Sequence, residues 1–304
     1  MKKHLINGGF ILFGFCLIGF CLTACSERDI DPSDLPVIDT EYTLPQGKSD
    51  ADDYIVEFYE KYGTYILYEF EEADLKWVQS DVNNLWNNFK YTSADPQYVA
   101  LMVDFLQENV FRFYPDAFLS KELPYKIFLL ATLKHNEYSN YEDVRIVGTQ
   151  MAISNCAESL ETIVNDPDKS MKLKNRLQSI LWSNWLYLFD IPAEFFKTST
   201  YSSGQASIDP SAWNYTRTMG FIADNEGKEW STVDPWPDTM LSKIQDLHSY
   251  LDGMRNRTSE EWENDLSYPL VKHKYDVLRN YFKTHFGFDI QAIGDANDKR
   301  QTTN

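Results

Sequence analysis

An apolar run at the N-terminus of this 304-residue chain indicates that its first residues do not belong to a folded domain. Lys2 and Lys3 precede residues 6–22, which are largely apolar and interrupted by glycines, and small residues follow at 23 and 24. A positive segment, an apolar segment and a small-residue cleavage site make up a secretory signal peptide. Because the run is short for a bilayer core of about 30 Å, we expect residues 1–24 to be cleaved as a signal peptide.

The residues at the end of this run indicate lipid attachment. Residues 22–25 read Leu-Thr-Ala-Cys, which resembles the bacterial lipobox, and Cys25 is therefore the predicted lipidation site. Several lipid chains together make a stable membrane anchor. Residues 25–50, which are acidic and contain prolines, predict a flexible tether. The polar and acidic residues 26–31 resemble the tethers of surface-exported Bacteroidetes lipoproteins. We therefore expect a lipid-anchored protein of the outer membrane or cell surface.

Cleavage and lipidation leave a single internal thiol. Cys16 and Cys21 leave with the signal peptide and Cys25 is modified, so only Cys156 remains. A disulfide framework and a four-cysteine zinc site are therefore excluded. The small and apolar residues around Cys156 predict a helix, and they favour a core position for this thiol over a nucleophilic role.

The charge balance excludes one class of partner. The chain has 46 acidic and 28 basic residues and a formal net charge of -18. Such a charge repels a phosphate backbone, so we exclude nucleic acid as a partner. With 43% hydrophobic residues, the segment 51–304 is long and apolar enough to form a domain with its own core.

The spacing of apolar residues predicts a helix-rich α+β domain. Residues 52–62 have helical spacing and end at Gly63, and residues 65–70 predict a strand. Segments 111–118 and 124–132 predict either a strand pair or a strand and the start of a helix. The expected architecture is a single domain with a small sheet near its N-terminal end. Helical spacing also occurs at residues 96–110, 139–156, 169–189, 238–253, 259–264 and 271–285.

No sequence motif for catalysis is present. His-Glu-x-x-His, Gly-x-Ser-x-Gly, the P-loop and the Rossmann glycine pattern are all missing from the sequence. A zinc site could still form if at least two of His135, His248 and His273 converge with an acidic side chain. Alternatively, two buried carboxylates in an aromatic cleft would permit glycoside hydrolysis without a metal.

Five segments carry a resemblance to a known family. They are the helix, turn and strand at 52–70, Pro-Ala-Glu-Phe-Phe at 192–196, the turn at 213–223, and the closing helix and tail at 274–283 and 287–290. With the lipobox, they resemble the zinc-binding metallopeptidases of Bacteroidetes lipoproteins, a zincin-like family associated with substrate import. The resemblance implies a zincin-like fold, a zinc cofactor, and a TonB-dependent receptor with its partner lipoprotein as partners.

The zinc ligands that this resemblance implies are missing. The metal-binding helix of the family corresponds to residues 178–189. A hydroxyl or an amide is a much weaker zinc ligand than an imidazole or a carboxylate, so we expect no metal cofactor. Depending on the register, the ligand positions are Ser179, Ile180 and Ser183, or Ser183, Asn184 and Tyr187.

Two further features belong to the implied metal site. The downstream acidic motif of the family falls on Asp234 and Asp238, and the prolines between them would deform a helix. Trp182 and Trp185 place large rings on the former metal helix. We expect these rings to fill the core, and the alternative is that they line a peptide or glycan groove.

The sequence therefore predicts a non-catalytic relative of the metallopeptidases. In this interpretation, the protein binds a substrate or a partner receptor in nutrient import without hydrolysing it. One alternative is an active zinc-dependent hydrolase with non-standard ligands. A second alternative is a metal-free lipoprotein that binds or hydrolyses glycans.

Overall fold

The computed structural model of the protein describes residues 42–76, 88–136, 141–201, 206–222 and 242–298. These parts contain eleven α-helices and five β-strands, as an α+β, helix-rich fold requires. The helices are α1 (Asp52–Tyr62), α2 (Glu72–Lys76), α3 (Val99–Asn109), α4 (Asp116–Glu122), α5 (Ser159–Val164), α6 (Pro167–Trp185), α7 (Ala193–Lys197), α8 (Lys243–Asn256), α9 (Ser259–Leu266), α10 (Pro269–His285) and α11 (Ile290–Asp295). The strands are β1 (Tyr65–Leu67), β2 (Phe89–Ser93), β3 (Lys126–His135), β4 (Val144–Val147) and β5 (Gln150–Ile153).

The sheet is built around β3, which is long enough to pair with two sets of neighbours. The first half of β3 pairs in parallel with β1 on one side and with β5 on the other. The second half pairs in an antiparallel manner with β2, and β4 pairs with β5. Residues 126–130 are all buried, as expected for a strand that is covered on both faces. The sheet lies in the N-terminal half of the domain, where the sequence predicts it.

The helix predicted at residues 139–156 is wrong, because this segment contains the hairpin β4–β5. Gly148 and Thr149 connect the two strands, and Gly148 has a φ of +59°. A two-residue hairpin turn requires positive φ, which glycine adopts without strain. The β-branched residues of β4 favour an extended backbone. Short apolar runs of this kind fit a helix or a strand equally well in the sequence.

Cys156 follows this hairpin and is buried. Its expected core position is therefore confirmed, although the expected helix around it is not. Burial raises the pKa of the Cys156 thiol to about 12. The thiol therefore stays protonated at neutral pH, which disfavours nucleophilic chemistry.

Residues 111–118 and 124–132 contain a helix start followed by a strand, so the strand predicted at 111–118 is wrong in both alternatives and a strand at 124–132 is confirmed. Residues Phe111–Phe113 form a single 3₁₀ turn, and α4 begins at Asp116 after Pro115. Proline suits this place because its fixed φ is compatible with a helix start and it lacks the N–H that would stay unpaired. The second segment is the strand β3.

The helices predicted at 96–110, 169–189, 259–264 and 271–285 correspond to α3, α6, α9 and α10, and the predicted helix at 238–253 overlaps α8, with residues 238–241 outside the described part of the chain. Capping signals mark the ends of several helices. Asp166 accepts hydrogen bonds from the N–H groups of residues 168 and 169 and thereby starts α6. Capping boxes begin α8 at Ser242 and α9 at Thr258. Gly63, with a φ of +68°, ends α1 in the left-handed conformation.

The compact unit of the structure begins at Leu44, before the predicted end of the tether. The side chain of Gln46 accepts a hydrogen bond from the N–H of Tyr68 at 3.0 Å. The N–H of Lys48 donates to the hydroxyl of Tyr68, also at 3.0 Å. These bonds attach residues 46–48 to the segment after β1, so this part of the predicted tether belongs to the body.

No helix in the part of the chain that the structure describes is long and apolar enough to cross a bilayer. The predicted signal peptide at residues 1–24 and the predicted lipidation site at Cys25 lie outside the described residues.

Gly294 permits the close packing of α11 against α8, and its replacement by alanine tests that packing. A Cβ atom at this position would lie 2.2 Å from the carbonyl oxygen of Arg257 and 2.4 Å from that of Met254. We expect Gly294→Ala to lower the free energy of unfolding by about 1–3 kcal/mol, because backbone atoms must move to admit the methyl group. Urea unfolding followed by circular dichroism measures the change. In an open helix the same substitution stabilises by about 1 kcal/mol, so a gain in stability would contradict the packing.

Candidate functional site

The predicted metal positions lie on the less buried side of α6 and in the turn that follows it. Ser179 and Asn184 are half-buried, and the exposed Ser183 donates its hydroxyl hydrogen to the carbonyl oxygen of Ser179 at 2.9 Å. Tyr187 is 79% exposed. The half-buried Ile180 offers no donor atom at all. Hydroxyl, amide and phenol groups in these places do not match the imidazole and carboxylate ligands that zinc requires.

The opposite side of α6 carries the two tryptophans, and both are buried with hydrogen-bond partners. Trp182 and Trp185 are 2% and 1% exposed. The Nε1 atom of Trp182 donates to the hydroxyl of Tyr114 at 2.7 Å, and that of Trp185 donates to the carbonyl oxygen of Glu122 at 2.7 Å. The Tyr114 hydroxyl in turn donates to the side-chain oxygen of Gln178. The two indoles are core residues whose polar atoms are satisfied.

The histidines considered as alternative zinc ligands lie on three different elements. His135 ends β3, His248 lies in α8 and His273 lies in α10. The Nε2 atom of His273 lies 3.0 Å from a carboxylate oxygen of Glu194. Within the described ranges, no three His, Cys, Asp or Glu side chains come together as a metal site. Outside these ranges lie the two acids of the predicted downstream motif, Asp234 and Asp238.

A fully buried ion pair connects α8 with α10. The Nζ atom of Lys274 lies 2.5 Å from Oδ2 of Asp246, and neither side chain is exposed to solvent. Lys274 also donates to the carbonyl oxygen of Gly220 at 2.9 Å and to the hydroxyl of Ser199 at 3.2 Å. The hydroxyl of Tyr201 donates to the same Asp246 oxygen. This cluster therefore ties two helices to the chain segments around residues 199–201 and 220.

Aromatic rings surround the Lys274 ammonium group. Proteins use such cages to hold cationic ligands, and here a lysine of the chain itself fills the cage. Burial raises the pKa of Asp246 and lowers that of Lys274, and the opposite charge of each partner works against the shift of the other. Because the cage is occupied by the chain, we assign it a structural role. The ring centroids lie 4.6 Å (Phe195), 4.9 Å (Phe221), 4.9 Å (Tyr250) and 5.9 Å (Tyr201) from Nζ.

A second buried lysine, Lys174 on α6, has two oxygen partners in the described part of the chain, and neither is a carboxylate. Its Nζ donates to the carbonyl oxygen of Ile293 at 2.5 Å and to Oδ1 of Asn297 at 2.6 Å. Burial, assisted by the charge of Arg112, lowers the pKa of Lys174 to about 7. A neutral amine has two N–H groups, and these two acceptors satisfy both. Lys174 therefore attaches α6 to the C-terminal segment.

An open pocket of about 310 Å³ lies between α1, α3 and α4. Its residues combine aromatic rings with charged and amide groups, which is the mixture found in small-molecule sites. The sequence alone did not predict a binding site at these residues. The available signal was a column of rings at helical spacing on α1, formed by Tyr54, Phe58 and Tyr62. The remaining lining residues are Glu57, Lys61, Gln107, Phe111, Arg112, Tyr114, Asp116 and Leu119.

Comparison with known proteins yields one distant structural similarity. No protein-family profile and no curated protein matches this chain. Among solved structures, the chain is similar to the 2.10 Å crystal structure of a candidate zinc-binding metallo-peptidase from Bacteroides caccae. The identity is 14% and the TM-score is 0.49, over 85% of this chain and 94% of that chain. A similarity this distant transfers no residue, metal or activity to this chain.

A double-mutant cycle tests the buried ion pair. We expect Lys274→Met to lower the free energy of unfolding by about 3–5 kcal/mol, because it leaves the Asp246 carboxylate buried without its cation. The double variant Lys274→Met/Asp246→Asn should recover a large part of this loss, because no buried charge remains. Chemical denaturation of Lys274→Met, Asp246→Asn and the double variant gives the coupling free energy between the two side chains. Equal losses in Lys274→Met and in the double variant would contradict the pairing.

The depressed pKa of Lys174 predicts a specific pH dependence of stability. Between the folded pKa of about 7 and the ordinary lysine value of about 10.4, the unfolded chain binds a proton that the folded chain does not. Stability should therefore rise with pH across this window, by at most about 1.4 kcal/mol per pH unit from this group.

Urea unfolding at pH 7, 8 and 9 measures this contribution as the difference between the wild type and Lys174→Met. The advantage of the wild type over this variant should grow as the pH rises. Lys121→Met, which removes an exposed lysine of α4, serves as the matched control and should follow the wild-type profile. A constant difference between wild type and Lys174→Met would show that the buried amine does not titrate in this range.

Proposed function

We propose that the chain is a lipid-anchored protein of the bacterial cell envelope with a metallopeptidase-like fold. In this proposal, it binds a substrate or a partner of a TonB-dependent nutrient-import system and does not hydrolyse what it binds. The anchor is supported by the sequence, in which a signal peptide leads directly to the Leu-Thr-Ala-Cys motif ending at Cys25.

The chemistry of α6 supports a role without zinc hydrolysis. A catalytic zinc site needs three protein ligands and an open position for water, and a nearby base completes it. The positions that the family resemblance assigns to ligands carry Ser179, Ser183, Asn184 and Tyr187, which do not fit this requirement. The core side of the same helix is filled by the two tryptophans and their hydrogen bonds. We therefore derive no reaction step through a metal.

The observation that carries the binding role is the open pocket between α1, α3 and α4. A pocket lined by rings and by several hydrogen-bonding side chains suits recognition of a small polar ligand. Its walls come from three helices and from the segment between α3 and α4. A ligand would therefore contact side chains and not the edge of a sheet. The pocket is distinct from the α6 positions, and binding therefore does not depend on the lost metal site.

The lipid anchor predicts a clear change on mutation of one residue. We expect Cys25→Ser to abolish incorporation of labelled palmitate and to move the protein from the membrane fraction to the soluble fraction. The measurement is metabolic labelling followed by fractionation in a bacterial host that processes lipoproteins. Cys156→Ser is the matched control, because its thiol is buried, and labelling should be unchanged. Labelling that survives in Cys25→Ser would contradict the anchor.

Zinc retention tests the non-catalytic part of the proposal. We expect residues 26–304, purified without the lipid, to retain much less than one zinc ion per chain after incubation with Zn²⁺ and dialysis. Elemental analysis gives the stoichiometry, and a peptidase assay with casein should show no zinc-dependent hydrolysis. Stoichiometric zinc would overturn this part of the proposal. Replacement of His135, His248 and His273 in turn would then identify the ligands.

A further inference from the structure

The pocket between α1, α3 and α4 has an aromatic wall on one face of α1. Tyr54, Phe58 and Tyr62 follow one another at intervals of four residues and therefore lie above one another on the helix. The ring centroids are 5.9 Å apart between Tyr54 and Phe58 and 4.7 Å apart between Phe58 and Tyr62. Phe58 is buried, and the two tyrosines are half-buried. Their rings can pack against the C–H groups of a ligand.

A carboxylate next to this wall has two partners on α1. Oδ1 of Asp116 accepts the Tyr62 hydroxyl hydrogen at 2.7 Å and lies 2.8 Å from Nζ of Lys61. Because both partners contact Oδ1, the second carboxylate oxygen stays open for a donor from a ligand. The hydrogen bonds from Lys61 and Tyr62 lower the pKa of Asp116, so this acceptor is ionised at neutral pH. Asp116 is thus a fixed acceptor at the pocket wall.

Three further polar groups of the pocket have no partner in the described structure. The hydroxyl of Tyr54, the carboxylate of Glu57 and the amide of Gln107 make no hydrogen bond or ion pair with any described residue. Glu57 and Gln107 are exposed, and Tyr54 is half-buried. Together these groups offer both donors and acceptors around the aromatic wall. A ligand with many hydroxyl groups can satisfy them all.

The charges of the lining favour a neutral ligand. Glu57 and Asp116 supply two negative charges, and Lys61 and Arg112 supply two positive charges. Both cations are already engaged, Lys61 with Asp116 and Arg112 with Glu108 at 3.3 Å. The formal net charge of -18 of the whole chain also repels an anion from the surface. An anionic ligand therefore finds no unpaired cation among the lining residues.

We propose that this pocket binds one or two rings of a neutral saccharide, with a sugar face against Tyr54 and Tyr62 and with sugar hydroxyls bonded to Glu57, Gln107 and Asp116. The proposal rests on the binding role given above and names the class of ligand. The volume of about 310 Å³ lies at the small end of ligand pockets, which suits one or two rings. A peptide strand is less suitable, because no sheet edge faces the pocket to pair with its backbone.

Saturation-transfer NMR with residues 26–304 tests the proposal. The probes are five neutral oligosaccharides, namely maltotriose, cellotriose, xylotriose, mannotriose and galactotriose. We expect at least one of them to bind, with transfer strongest at ring C–H protons. Absence of transfer to all five would overturn the saccharide proposal.

The bound sugar is then titrated into variants by calorimetry. We expect Tyr54→Ala and Glu57→Ala each to weaken binding about 10-fold, because the first removes a stacking surface and the second a charged acceptor. Gln107→Ala should weaken binding less, because a neutral hydrogen bond contributes less. Glu57 and Gln107 are exposed and bond to no described residue, so their loss leaves folding intact.

Two exposed aromatic residues elsewhere serve as matched controls. Tyr187→Ala, in the turn that follows α6, and Trp213→Ala, whose side chain is 90% exposed, should bind as the wild type does. Loss of binding in either control with full binding in Tyr54→Ala would place the sugar elsewhere and overturn the proposal.

A casein tripeptide pool, measured in the same NMR experiment, separates the two proposals. Peptide binding without sugar binding would overturn the saccharide proposal and leave the general binding role standing. Stoichiometric zinc with peptide hydrolysis would overturn the proposed function itself.

Discussion

The two indole N–H groups of α6 need acceptors inside an aromatic core, and the position of α4 follows from that requirement. Trp182 donates to Tyr114 and Trp185 donates to the carbonyl of Glu122, so α6 holds the segment just before α4 and the last residue of that helix. A buried donor left without an acceptor costs about 1–3 kcal/mol, which penalises any shift of this segment. Asp116 lies between the two contacts. The core therefore positions one wall of the open pocket.

The C-terminal helices are held in place by buried charges. Lys274 is paired with Asp246, and Asp265 accepts hydrogen bonds from Arg217 and Arg257, each at 2.9 Å. Such pairs add little net stability compared with apolar side chains, but separation of the partners leaves a buried charge and costs about 3–5 kcal/mol. In the described part of the chain the one cysteine forms no disulfide. The ion pairs therefore connect segments that lie far apart in the sequence without a covalent link.

The pocket and α6 differ in whether their polar groups have partners within the chain. The side of α6 that faces the core is filled by rings whose polar atoms are already bonded, while the other side carries small hydroxyl and amide groups. By contrast, the pocket presents the rings of α1 next to polar groups that bond to no described residue, which a ligand can satisfy. The pocket therefore lies apart from the positions that the family resemblance assigns to zinc ligands.

The sequence alone determined the helices with strong periodicity and clear ends. The helix at 52–62 ends at Gly63, as predicted, because a glycine C-cap is a local signal. The long helix predicted at 169–189 is α6, which begins two residues earlier, after the capping residue Asp166, and ends at Trp185. Local signals do not decide between a hairpin and a helix in residues 139–156, since a short apolar run fits both periods. Only the pairing of β5 with β3 decides that choice.

The pocket is formed by the tertiary structure and not by a local sequence motif. In the sequence, Asp116 is an ordinary acid near a proline, and Tyr54 is one of 19 tyrosines. They become parts of one pocket because α4 is held against α6 while α1 packs beside α4, and neither contact leaves a local motif. The sequence therefore determined the helices with strong periodicity and indicated an export signal. The arrangement of side chains around a ligand depends on packing between distant segments, which only the folded chain establishes.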